Sequence, residues 1–206
     1  MRSGVFGRAR TSGPPSRPEV ALTYDDGPDS LATAALLDLL RTRGVPAAFF
    51  VVGRNARAHP DLVRRARDEG HLLANHSDRH AWWTNFLSGS RLLREMEACA
   101  TALEETTGER PRHYRPPVGL MNPSVAPAAA ALGLTLVGWS VRSLDRTRRT
   151  AEQVASRVLR RVRAGDIILL HDGGQAPDRI VRITERILDG LSARGLRAVR
   201  LDRLWR

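Results

Sequence analysis

Two adjacent carboxylates, Asp25 and Asp26, stand where an apolar run, Val20 to Tyr24, gives way to Gly27-Pro28, the pattern of a strand ending in a tight turn. Neighbouring side chains at a strand end diverge, so one carboxylate can bind a metal while the other stays free to move a proton. The doublet also fits an Asx-type turn, in which aspartate bonds its own backbone, and its partners must decide between the two. His76 and His80, in Asn75-His76-Ser77-Asp78-Arg79-His80, have a spacing that puts both imidazoles on one side of a helical turn. A histidine pair alone is more often a surface or hydrogen-bonded feature. Joined to Asp26, it gives three protein ligands and leaves coordination positions open for water and substrate, as in catalytic metal sites. Zinc is the first choice of divalent ion, and the ligand types also suit cobalt or another.

The elements that must position these residues alternate. Apolar, β-prone runs are expected near 19–25, 46–52, 71–75, 112–115, 134–140, 166–171 and 196–201, with helices near 30–43, 60–69, 88–107, 123–132, 150–163 and 178–194. Ser30 is expected to cap the first helix and Gly44 to end it. Repeated β/α units predict a parallel sheet that either closes into a barrel or stays open and doubly wound, and periodicity does not choose. In both, polar chemistry gathers at the carboxyl ends of the strands. Asp25, Asp26, His76, His80, Arg115, Asp145, His171 and Asp172 all fall at or near such ends.

With 206 residues, 42% hydrophobic and 27% charged, the chain is long enough for one globular domain, and its composition excludes disordered and fibrous classes. No stretch reaches membrane-spanning length. The net charge of +11 is carried by arginine alone, since there is no lysine. The arginines are spread along helical faces (Arg64, Arg65, Arg67; Arg157, Arg160, Arg161, Arg163), and 5% aromatic content leaves few stacking platforms, so no specific nucleic-acid partner is expected. The field of such a surface favours an anionic polymer or cell-envelope surface. Cys99, the sole cysteine, lies in an apolar-periodic helix and reads as core. Residues 1–18, rich in Arg, Gly, Ser and Pro, read as a flexible basic segment before a domain over 19–206. They lack the apolar core of a signal peptide, so the sequence fits a cell-envelope site if an upstream anchor was removed and a cytoplasmic one if Met1 is the native start.

Five separated segments resemble the polysaccharide deacetylases of carbohydrate esterase family 4, the NodB-homology domain. They are Thr23-Tyr24-Asp25-Asp26-Gly27-Pro28, His76-Ser77-Asp78-Arg79-His80, Arg115-Pro116-Pro117, Asp145, and Leu169-Leu170-His171, in family order over about residues 19–201. The resemblance implies a distorted, incomplete (β/α) barrel of about seven parallel strands. It also implies metal-dependent hydrolysis of N-acetyl groups on a GlcNAc-containing glycan such as peptidoglycan or a chitin-like oligosaccharide. By motif, Asp26, His76 and His80 would hold the metal and Asp25 would be the general base. Arg115 would orient Asp25, and Asp145 would tune His171, the general acid. The backbone N–H of Val118 would meet the oxyanion and Leu169 would line the acyl pocket, although Leu169 also fits plain core packing.

The chain departs from the family pattern at Val118, where an aromatic is usual, at Arg142, where aspartate often stands, and at Arg146, in place of tryptophan. These changes bear on the pocket wall and on sugar specificity. Trp82 and Trp83 fit a sugar-stacking platform or a cover over the core equally, while His59, His71 and His113 read as structural. Two other readings keep the scaffold: an intracellular deacetylase of a small acylated amino sugar or metabolite, and a non-catalytic basic glycan-binding module.

Overall fold

The computed structural model describes residues 9–81 and 89–206. The chain is α/β. Seven parallel strands follow one path, in the order β5 (Thr135–Leu136), β4 (His113–Tyr114), β3 (Leu72–Asn75), β2 (Ala48–Val51), β1 (Glu19–Asp25), β7 (Ile167–His171) and β6 (Val141–Arg142). The end strands β5 and β6 do not pair with each other among the described residues, so the barrel is curled but incomplete. A short β8 (Arg197–Ala198) pairs with Glu19 and Val20 at the start of β1.

β1 is buried along nearly its whole length because both edges and both faces are covered, and it reads as an almost unbroken apolar run. Its side chains alternate. Leu22 and Tyr24 face helices α1 (Ala32–Arg43), α6 (Ala151–Leu159) and α7 (Pro177–Ser192), in a core with Leu36, Leu40, Val158 and Ile183. Ala21 faces the interior with Ala48, Phe50, Ala74 and Ile167. The strand period of two then carries Thr23 and Asp25 to the interior after Ala21, and Leu169 and His171 after Ile167. Interior polarity at the strands' carboxyl ends is thus a product of strand parity and burial.

Three local expectations are revised, and two short elements are added. The helical turn proposed for His76–His80 is a loop, with positive φ at Ser77 (72°) and His80 (50°). Ser30 does not cap α1; Asp29 Oδ1 accepts from the Leu31 and Ala32 N–H groups, each at 3.0 Å. The run at 134–140 is broken into the two-residue β5 and a bridge from Val137 to Arg10. A six-residue helix α2 (Gly53–Ala58) and the strand β6 were not anticipated, both being too short for periodicity to register. Helices α3 (Pro60–Asp68), α4 (Gly89–Thr107) and α5 (Val125–Ala131) lie where expected. Ahead of β1, Arg10 and Ser12 bridge to Val137 and Asp166. No described helix is long and apolar enough to cross a membrane.

Candidate active site

β1 ends in Asp25, a residue only 4% exposed. Arg115, fully buried just past β4, donates from Nη1 to Asp25 Oδ1 at 2.6 Å and to Thr23 Oγ1 at 2.9 Å. Its remaining N–H groups reach the Val137 and Gly138 carbonyls. The guanidinium lies 3.9 Å from the centre of the Phe50 ring and 5.6 Å from that of Trp139. A buried guanidinium with its donors used and its faces covered holds one rotamer, and therefore holds the carboxylate it meets.

Asp26 takes a left-handed φ of 76°, a conformation aspartate tolerates better than most residues, and this turns its side chain out of the strand's alternation. Asn55 of α2 donates to the Asp26 carbonyl at 2.8 Å. Gly173 packs so close on the same backbone that a Cβ there would collide with it. The two oxygens of Asp26 face different partners. Oδ1 lies 3.0 Å from His80 Nε2 and 3.4 Å from His76 Nε2, while Oδ2 accepts from Arg146 Nη1 at 2.7 Å. Burial alone would raise the Asp26 pKa, but its bonds to the two histidines outweigh that and hold it well below the usual carboxylate range.

The histidine loop is anchored from α4. Glu95 accepts from Ser77 Oγ and the Arg79 N–H, both at 3.0 Å. His76 Nδ1 donates to the Arg115 carbonyl at 2.7 Å, which fixes the ring with Nε2 turned toward Asp26. Asp26, His76 and His80 can present three ligand atoms within 4.8 Å of one another. One carboxylate oxygen and two imidazole nitrogens, one ring held in place by its bond to the Arg115 carbonyl, suit a divalent ion.

Opposite stands His171, aligned with Asp25 across the β1–β7 ladder. Its Nδ1 donates to Asp145 Oδ1 at 2.9 Å and its backbone N–H to Asp145 Oδ2 at 2.8 Å. Ser143 and Gln175 also donate to Asp145. Burial would lower the His171 pKa, but the Asp145 bond and charge prevail and raise it. Asp145 moves the opposite way: His171 lowers its pKa against the effect of burial. Below the rim lies Asp172, with Oδ2 accepting from Thr33 at 2.6 Å and Oδ1 without a partner among the described residues; burial pushes its carboxyl up to about 7.

Asp25, Asp26, His76, His80, Asp145, Leu169, His171 and Val118 border one cleft of about 350 Å³, and Arg115 lies beneath it. Val118 projects at the mouth, 62% exposed, with a φ of 61° that a β-branched residue adopts only when its surroundings force it. Trp83 falls outside the described residues. Sequence reasoning missed Trp139, which walls the cleft and covers Arg115, and it gave Arg146 no contact. The Trp-to-Arg departure at 146 was the available signal, but a reach of 120 residues to Asp26 cannot be read from spacing.

The fold and this cleft define a class that comparison makes explicit. The polysaccharide deacetylase family model matches residues 12–137, and the chain belongs to that family. Among individual relatives, a chitooligosaccharide deacetylase of Bradyrhizobium sp. (strain ANU 289) is 36% identical over 196 residues, covering 85% of each chain. A peptidoglycan-N-acetylglucosamine deacetylase of Bacillus cereus is 34% identical over 189 residues, covering 91% of this chain and 88% of the relative. A solved peptidoglycan N-acetylglucosamine deacetylase structure superposes with a TM-score of 0.88 at 30% identity, covering 96% of this chain and 92% of that one.

Proposed function

We propose that this protein is a metal-dependent deacetylase that hydrolyses N-acetyl groups on a GlcNAc-containing glycan. The observation that carries the reading is the division within the doublet. Asp25 is locked to Arg115, whereas Asp26 turns away to meet His76 and His80. Deacetylation of chitooligosaccharide and of peptidoglycan, named for the relatives above, is the chemistry this division serves.

Asp26, His76 and His80 would hold one divalent ion, zinc by ligand type. Once bound, it supplies Lewis-acid polarisation of the amide carbonyl and of the attacking water. Asp25 takes the proton from that water, and Arg115 holds the carboxylate aimed at it. His171, with Nδ1 committed to Asp145, uses Nε2 to protonate the departing nitrogen, since an amine leaves poorly unprotonated. Asp145 acts through His171 and is a positioning residue. Leu169 walls the space for the acetyl methyl, and the Val118 backbone N–H serves the carbonyl oxygen as charge develops there.

Acetate release from chitooligosaccharides or peptidoglycan strands by the metal-loaded protein tests the reading. Asp25→Asn should retain the metal and lose about 10³-fold in kcat/KM, in the range for removing a general base. Asp26→Ala should lose the metal. Wild-type turnover in Asp25→Asn, or equal metal loss in both variants, overturns the assignment.

A further inference from the structure

Arginines on most of this molecule are neutralised. Arg43 pairs with Asp189 and Glu185, Arg65 with Asp38 and Glu69, and Arg110 with Glu97 and Glu104. The segment from β6 through α6 is different. Residues 142–163 carry eight arginines against two acids, Asp145 and Glu152. Asp145 is buried on His171, and Glu152 is taken by Arg186 of α7 at 3.1 Å. Among the described residues, Arg146 is the one arginine of this segment paired to a carboxylate, that of Asp26.

The unpaired arginines form a patch that begins at the cleft. Arg142 is exposed and lines the mouth beside Arg146. Arg157 Nε donates to the Arg142 carbonyl at 3.1 Å, which ties α6 to the rim. Desolvation, then repulsion from Arg161, Arg149, Arg160 and Arg142, lowers the proton affinity of Arg157, so these guanidiniums share one field with no anion among them. Surface cations that crowd without a counter-charge attract polyanions over a Debye length of about 10 Å at 0.1 M salt.

We propose that the arginine wall of Arg142, Arg149, Arg157 and Arg161 is a docking surface for the carboxylates of an anionic N-acetylated glycan, holding the polymer while one of its acetamido groups enters the cleft. The proposal rests on the deacetylase reading for the reaction, while the docking itself does not depend on catalysis. Guanidinium forks match carboxylates in bidentate geometry. A neutral chitin-type oligomer presents no group for them. Anionic substituents along a polymer would engage the wall from Arg142 outward, several residues at a time.

The test compares three ligands with metal-loaded protein: neutral chitooligosaccharide, peptidoglycan glycan strands with free carboxylates, and the same strands with their carboxylates amidated. Binding and kcat/KM should favour the free-carboxylate strands about tenfold at low salt, the lower range for electrostatic steering. That preference should vanish as salt rises. It should also fall toward one in R149Q/R157Q/R161Q, yet persist in R43Q/R64Q/R110Q, which removes equal charge from paired sites. A control triple that loses the preference as fully overturns a local surface in favour of net charge. Equal binding to amidated strands overturns the carboxylate, and stronger binding to a phosphate-bearing glycan or to RNA assigns the wall to phosphate instead. Absence of acetate release from every substrate overturns the deacetylase reading, whereas the salt-dependent binding still decides the docking surface.

Discussion

Asp25 and Asp26 are neighbours in the chain, and each is gripped by an arginine, but the two grips differ in kind. Arg115 is fully buried, meets Asp25 at 2.6 Å, and has its faces covered by Phe50 and Trp139. Arg146 meets Asp26 at 2.7 Å with nearly half its side chain in solvent. Distance does not separate these pairs; burial does. A buried pair costs heavily when one partner is removed, because the other is left charged in a poor solvent, whereas an exposed pair is worth little. The inner pair is built to fix a geometry. The outer one adds positive charge beside the carboxylate proposed to hold a cation.

Breaking the inner pair should have the larger effect. Arg115→Met is expected to cost roughly 3 to 5 kcal/mol of folding stability, the penalty for an unpaired buried charge, read from urea unfolding. Its kcat/KM should also fall, since Asp25 loses both its charge partner and its aim. A loss near 1 kcal/mol would show that the pair behaves like a surface one.

Next comes Asp145→Asn, with an expected loss of about 10²-fold in kcat/KM, the low end for impaired proton transfer. His171 has a raised pKa in the fold, so its stabilising contribution is present at low pH and is lost as pH rises through the folded value. Removing the Asp145 charge should move the alkaline limb of the kcat/KM profile to lower pH, and an unmoved limb would deny Asp145 its hold on the acid.

The smallest change should come from the outer pair, and it has the opposite sign. Arg146→Gln removes a positive charge from the outer oxygen of Asp26, and zinc binding by calorimetry should tighten about fivefold, corresponding to about 1 kcal/mol for a charge pair in water. Weaker zinc binding would mean that Arg146 chiefly orients the carboxylate.

Much of this site was legible before the fold was known, because strand parity and strand ends constrain where reactive side chains can meet. Asp25 and His171 were placed by the apolar runs they end, whereas Leu169 entered only through the family resemblance. Loop conformation was not legible. The pairing of His76 with His80 depends on positive φ at Ser77 and on Glu95 anchoring the turn, and neither is encoded in a four-residue interval. Asp29 outcompeted Ser30 as the cap of α1 because its longer side chain reaches two N–H groups. The reach of Arg146 to Asp26 is a tertiary fact about the loop after β6.

The β1–β7 ladder pairs Asp25 with His171 directly, with Thr23 opposite Leu169 two rungs below. A strand displaced by a single residue would exchange inward and outward faces, sending the proposed base or acid into the helical layer. Turnover is therefore a stringent gauge of alignment between the first and penultimate long-range strand partners. A chain that collapsed with native secondary structure but slipped pairing would be compact, helical by circular dichroism, and inert.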